Sequence, residues 1–155
     1  MDNLTLRQAT PTDSDFAYCT RRAAFREYVE KAGGWDEARE RQNHERRFAA
    51  QEFRIISLAG VDVGFTAMAF GPDCVHLYQI FILPEHQREG IGGACMLLIL
   101  DEARRKRLPV RLRVYKVNAR ARAFYERHGF VCTGEDDVHH LMEWRNSMPQ
   151  PTEQP

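Results

Sequence analysis

The stretch Gln79–Ala94, QIFILPEHQREGIGGA, sets an apolar run against a glycine-punctuated turn that opens a long helix. Ile80, Phe81 and Ile82 read as a buried strand, and Pro84 stops it. From Gln87 through Arg88, Glu89, Gly90, Ile91, Gly92 and Gly93 the main chain reaches the helix start with N–H groups little obstructed by Cβ atoms. Orphan N–H groups and the positive end of the helix dipole converge there, so the natural guest is a phosphate or pyrophosphate.

Two familiar phosphate loops are excluded. No Gly-Lys-Ser/Thr follows to make a nucleotide P-loop, and Gly90-Ile91-Gly92 lacks the third glycine of the dinucleotide fingerprint. What remains is Gln-x-x-Gly-x-Gly between a strand and a helix. About twenty-five residues later comes a second motif, Asn118-Ala-Arg-Ala-Arg-Ala-Phe-Tyr125-Glu-Arg-His-Gly129-Phe130. This pair, in this order and at this spacing, resembles the GNAT superfamily of acyl-CoA-dependent N-acyltransferases. The resemblance runs loosely from about Leu4 to Trp144.

The resemblance implies an α+β fold: a central mixed, mostly antiparallel sheet of about seven strands, flanked by about four helices, two on each side. It implies acetyl-CoA as cosubstrate, with the main chain of Ile80, Phe81 and Ile82 pairing with the pantetheine arm and Gln87 to Gly93 taking the pyrophosphate. Asn118, opening the second helix, belongs to the same cofactor site. The strands Val75–Leu83 and Val110–Tyr115 are expected to splay and leave the slot in which the arm lies. A main-chain N–H near Ile82 is the expected donor to the carbonyl oxygen as it gains charge.

Two proton transfers remain. The leaving thiolate needs a proton; a thiol ionises at about 8.5 and a tyrosine at about 10, so Tyr125, where the family places its usual acid, suits the task. A packing role beside Phe124 is the alternative for that ring. The attacking amine must lose a proton, since an alkylammonium with a pKa of about 10 has no lone pair at neutral pH. Counting back from Gln87, His76 takes the position where several family members hold a glutamate or histidine base, with Tyr78 on the same face; a water chain is the alternative. Glu37, Glu40 and His44 are weaker candidates, on a helix that walls the acceptor site in similar enzymes. An acyl-enzyme on Cys74 or Cys132 is disfavoured: direct attack in a ternary complex is the family's route, and neither thiol is expected to have a histidine placed to activate it.

The resulting expectation is transfer of an acetyl group from acetyl-CoA to a primary amine, on a small molecule or a peptide. The alternative is a GNAT-fold protein that binds acyl-CoA as a sensor or assembly module without turning it over. The Gly33-Gly34-Trp35-Asp36-Glu37 turn is expected to edge the acceptor pocket with mixed charges.

Length and composition agree with this frame. At 155 residues, 43% hydrophobic and 28% charged, the chain fits one ordinary soluble domain, taken as 1–145, with 146–155 a disordered tail rich in proline. Equal numbers of basic and acidic residues, 22 each, give no sequence-wide pull toward nucleic acid or membrane, so neither is an expected partner. The start lacks a cationic and then apolar leader, and no run is long enough to span a bilayer, which points to the cytoplasm. Cys19, Cys74, Cys95 and Cys132 have no spacing suited to a metal and are expected as four free, buried thiols. A homodimer is admitted by the resemblance alone.

Periodicity places the rest. A first strand at Leu4–Arg7 leads through Pro11-Thr12-Asp13 into a helix to about Val29. Gly33-Gly34 breaks it, and a polar second helix starts at Trp35-Asp36, with Ala38, Phe48 and Ala49 as its apolar anchors. Phe53–Leu58 and Val61–Phe70 form a hairpin over Ala59-Gly60, with Gly64 marking a bulge. The helix after Gly92 ends in Arg104–Arg107. That cluster reads as a helix C-terminus with Asp101–Arg105 and Glu102–Lys106 pairs rather than as a nucleic-acid patch. Pro109 ends it, Val110–Tyr115 alternates as a strand, Gly129 ends the helix capped by Asn118, and Val131–Gly134 and Val138–Trp144 close the sheet.

Overall fold

A computed structural model describes residues 1–146; apart from Asn146, the expected tail at 146–155 lies outside the described residues. Seven strands make one sheet: β1 (Leu4–Gln8), β2 (Glu52–Leu58), β3 (Val61–Phe70), β4 (Val75–Ile82), β5 (Val110–Tyr115), β6 (Val131–Glu135) and β7 (His139–Trp144). Their spatial order is β1-β2-β3-β4-β5-β7-β6. Every neighbouring pair is antiparallel except β4 and β5, which are parallel across a helical crossover. The helices are α1 (Ser14–Ala32), α2 (Glu37–Ala50), α3 (Ile91–Lys106) and α4 (Ala119–Arg127). This is the mixed, mostly antiparallel α+β architecture expected.

Alternation along the strands divides the core between two faces. Phe53, Ile55, Phe65 and Ala67 meet Ala17 of α1 and Phe48 of α2. On the other face Val75, Leu77, Val110 and Leu112 meet Met96, Ile99 and Leu100 of α3, with Phe124 and Tyr125 of α4 against the same cluster. The β2–β3 turn takes Ala59 and Gly60 at φ of 52° and 84°, the double left-handed turn that matches strand twist. The bulge expected at Gly64 is present: the register slips between Ile56 and Ser57, whose partners are Gly64 and Asp62, leaving Val63 over. Gly64 also has to be glycine, because a Cβ there would fall 2.2 Å from the Phe81 carbonyl oxygen.

Three expectations are corrected. The apolar anchors of α2 are not Ala38 and Ala49, which are exposed; its buried residues are Glu40 and His44. Buried polar groups need partners, and these have them. Arg21 donates to Glu40 at 2.5 Å, and His44 Nε2 lies 2.9 Å from the Ser14 carbonyl oxygen. Glu102 pairs with Arg54 of β2 at 2.7 Å rather than with Lys106, whose ammonium stands 5.0 Å from the Phe70 ring. All four cysteines are free, but only Cys74 and Cys95 are buried; Cys19 is half-buried and Cys132 exposed.

Candidate active site

The site starts from one extra residue in β4. Ala67 pairs with Gln79 and Met68 with Leu77, so Tyr78 has no opposite number. Val75 N–H, before that residue, donates to Pro109 O at 2.8 Å, toward β5. Leu83 N–H, beyond it, donates to Val63 O at 2.8 Å, toward β3. Leu83 and Val63 are thus a hydrogen-bonded pair, and antiparallel alternation turns the main-chain groups of Phe81 toward Phe65 on β3. Those of Ile80 and Ile82 turn the other way, toward β5. Strand β5 is not there to meet them, because the parallel pair ends after Val75–Val110 and His76–Arg111. The strands splay, and the edge of β4 from Ile80 to Ile82 opens on a cleft.

All three residues line that cleft, half-buried rather than buried as expected for the strand. Of the three expected to pair with an extended amide ligand, Ile80 and Ile82 present main-chain groups to the gap, whereas those of Phe81 are turned to β3. Gln87 Nε2 donates to Ile82 O at 3.0 Å and ties the following turn to the strand. Phe25 of α1 stands between the splayed strands, its ring 4.9 Å from Phe81 and 5.5 Å from Tyr115.

The turn itself is wound by two left-handed residues, Arg88 at φ 65° and Gly90 at φ 82°. The first helical bond of α3 is Ala94 N–H to Gly90 O at 3.1 Å. Among the described residues the N–H groups of Arg88, Glu89, Gly90, Ile91, Gly92 and Gly93 therefore have no main-chain acceptor in the turn or the helix. Six donors in sequence at the positive end of a 16-residue helix form a ready anion cradle. Glu89 is the one turn residue that does not line the cleft.

Helix α4 faces that turn across the cleft. Asn118 Oδ1 accepts from Ala121 N–H at 3.0 Å and starts the helix, which ends at a left-handed Gly129. Tyr125 is half-buried, its ring 5.4 Å from Phe124 and 5.6 Å from Phe130. Burial pushes the phenol up to about 12, above the ordinary value used in the sequence reading. It stays protonated across the working range but is a weaker acid than expected. Its hydroxyl has no hydrogen-bond partner among the described residues and borders the cleft.

His76 sits at the last rung before the strands part, with its ring stacked on Tyr78 at 5.7 Å and an interplanar angle of 16°. Both line the cleft. The three weaker candidates do not: Glu40 is taken by Arg21, His44 is bound to Ser14, and Glu37 accepts from Tyr18 Oη at 2.7 Å and from Trp35 Nε1 at 3.0 Å. The Gly33–Glu37 turn does not edge this cleft; Gly33 and Gly34 border a separate hollow of about 220 Å³. The expectation that no histidine would stand near Cys74 is also wrong, since His76 Nε2 lies 3.2 Å from its Sγ.

The cleft holds about 1020 Å³. That is at the top of the range for drug-sized ligands and leaves room for a long cofactor and an acceptor together. Arg88, Arg120 and Arg127 stand on the side of α3 and α4, where the phosphates of a nucleotide-bearing cofactor would be held, and none has an ion pair among the described residues. The sequence reading missed Arg120 and Arg127, although both lie within the second motif. It also missed Arg47, Gln51 and Gln79, for which no local pattern gives a signal.

A splayed parallel pair, an unpaired strand edge and a glycine-wound helix start make a cleft suited to a long, phosphate-bearing ligand. Residues 16–130 match the Acetyltransferase (GNAT) family, and the chain belongs to it. Acetyl-CoA is its cosubstrate, and the turn, strand edge and arginines fit it. Solved structures share the fold. The PaiA N-acetyltransferase from Thermoplasma acidophilum in complex with coenzyme A superposes with a TM-score of 0.75 at 17% identity, over 92% of this chain and 98% of that one. The ribosomal-protein-S18-alanine N-acetyltransferase from Escherichia coli gives 0.72 at 23% identity, over 98% of each. A GNAT family acetyltransferase from Elizabethkingia anophelis with acetyl-CoA bound gives 0.67 at 13%, over 94% and 99%. No curated protein matches the chain.

Proposed function

We propose that the chain, as one catalytic unit over residues 1–145, transfers the acetyl group of acetyl-CoA to a primary amine by direct attack in a ternary complex. The observation that carries this is the parting of β4 from β5 after His76 and Arg111, which leaves Ile80 and Ile82 facing the same cleft as the turn. In this reading the N–H groups from Arg88 to Gly93 and the nearby arginines hold the phosphates, with Asn118 fixing the start of the facing helix. The Ile80 and Ile82 main chain pairs with the pantetheine amides as a strand would. The Ile82 N–H donates to the thioester oxygen as it becomes an oxyanion.

His76 takes the proton of the attacking ammonium. The amine lone pair then forms the C–N bond, the C–S bond breaks with its electrons on sulfur, Tyr125 gives the thiolate a proton, and the second proton, shed by the cationic product nitrogen, replaces it on the phenolate. A phenol at about 12 is a weaker acid than a thiol in water. The transfer suits an apolar site that also disfavours the thiolate.

Exposed Cys132 and half-buried Cys19, both free, suit a reducing compartment, and we place the protein in the cytoplasm. Among the described residues no helix is long and apolar enough to cross a membrane. An amine panel scored by thiol release from acetyl-CoA tests the reading. Amine-dependent release is expected; acetyl-CoA binding with no release to any amine would make the protein a binder only.

A further inference from the structure

Among the described residues seven arginines line the cleft, and no aspartate or glutamate does. Three of the seven stand at the cofactor end. At the other end Arg21 is paired with Glu40 at 2.5 Å, Arg111 with Glu143 at 2.8 Å, and Arg113 lies 4.0 Å from Asp136. Arg47, in the last turn of α2, has no ion pair and no side-chain hydrogen bond among the described residues. It is partly buried; burial first and the adjacent Arg21 guanidinium second work against its charge, and Glu40, already bonded to Arg21, offsets part of this. An arginine remains charged at neutral pH all the same. A guanidinium partly withdrawn from water beside another, with the nearest carboxylate already bonded to that neighbour, is an unfavourable arrangement that an incoming anion relieves.

Two amides stand with it. Gln79 is only 8% exposed, and neither its Oε1 nor its Nε2 has a hydrogen-bond partner among the described residues. Gln51 follows Arg47 by one turn, its N–H donating to Arg47 O at 2.8 Å, and its Oε1 is likewise buried and unpartnered. Both line the cleft. Native interiors leave few such groups unpaired. Together they offer unpaired polar atoms to a ligand in the cleft.

We infer that the acceptor is a small amine bearing its own carboxylate, an amino acid or a close analogue, whose carboxylate Arg47 grips while the amide of Gln79 orients it. The inference rests on the acetyltransferase reading of the same cleft. A guanidinium fork and a carboxylate match two bonds to two. Polyamines and aminoglycosides carry several ammonium groups, and a wall without one carboxylate has nothing to pair with them.

The test uses N-acetylalanine, N-acetylleucine and N-acetylserine, each as the free acid and as the primary amide, titrated calorimetrically into the full chain with and without coenzyme A. The acids are expected to bind at least about tenfold tighter than the amides. Arg47→Gln should erase that preference, and Arg47→Lys should restore part of it. Equal binding of acids and amides, or a preference that survives Arg47→Gln, overturns the inference. Carboxylate-selective, Arg47-dependent binding without acetyl transfer to the parent amino acids would uphold it and remove the transferase reading. Turnover with polyamines or amino-acid amides as fast as with amino acids would do the reverse.

Discussion

Nε2 of His76 lies 3.2 Å from Sγ of Cys74, so the histidine proposed as base is held from behind by a buried thiol. Cys74 does not border the cleft, which removes it as an acetyl carrier and leaves it to orient the ring. His76→Ala is expected to lower kcat/KM for the amine by about 10²- to 10⁴-fold. Cys74→Ala should keep turnover within about tenfold, and no acetylated enzyme should be seen by mass spectrometry. An unchanged kcat/KM in His76→Ala would move the base elsewhere.

Tyr125 makes a second prediction through its raised phenol, pushed by burial to about 12. An acid must be protonated to act, so wild-type turnover should show no loss from this group until pH nears 12. Tyr125→Phe should cut kcat by about 10²-fold or more while the KM for acetyl-CoA hardly moves. Stability gives an independent readout. In the unfolded chain the phenol ionises near 10 and in the folded one near 12, so folding stability should fall across that window, and the phenylalanine variant should fall less. Unchanged kcat would leave the ring with a packing role.

The positions of these groups were unequally legible in the sequence. Gln87 to Gly93 and Asn118 to Gly129 were readable because glycine, proline and capping residues encode local geometry. The extra residue at Tyr78 was not, because in a strand covered on both faces a slip of one residue leaves no break in the alternation. Without it Phe81, rather than Ile80 and Ile82, would face the gap. The buried face of α2 was misread for a different reason: Glu40 and His44 are polar, and only tertiary partners, Arg21 and Ser14, make their burial tolerable. Glu102 was assigned to Lys106 by helical spacing, but a strand residue, Arg54, reaches it first.

Acid stability should report the first loop. Arg7 donates to Asp13 at 2.9 Å and Thr10 N–H donates to Asp13 at 2.8 Å, and the Arg7 bond leads in holding the carboxyl down at about 2 from 3.8. A folded-state value below the unfolded one means a contribution present in full above about 3.8 and lost as pH falls through 2. Asp13→Asn should cost about 1–2 kcal/mol at neutral pH, with Arg7 partly in solvent, and almost nothing at pH 2. Parallel urea titrations at the two pH values check it; an equal loss at both would mean that packing, not charge, holds the loop.

Gly90 decides whether the turn is a cofactor site at all. At φ 82° it turns the main chain so that the N–H groups from Arg88 to Gly93 run into the start of α3. A side chain there would meet only the Met1 methyl at 3.7 Å, so Gly90→Val suffers from backbone strain and not from a clash. For L-residues that strain is about 1–2 kcal/mol and more when β-branched, enough to re-aim the turn but small against the stability of a domain. The variant should keep its circular dichroism spectrum and cooperative unfolding while its Kd for acetyl-CoA rises by at least tenfold. Wild-type affinity in a folded Gly90→Val protein would show that the phosphates are held elsewhere, and the assignments of Ile80, Ile82 and Tyr125 around the thioester would lose their anchor.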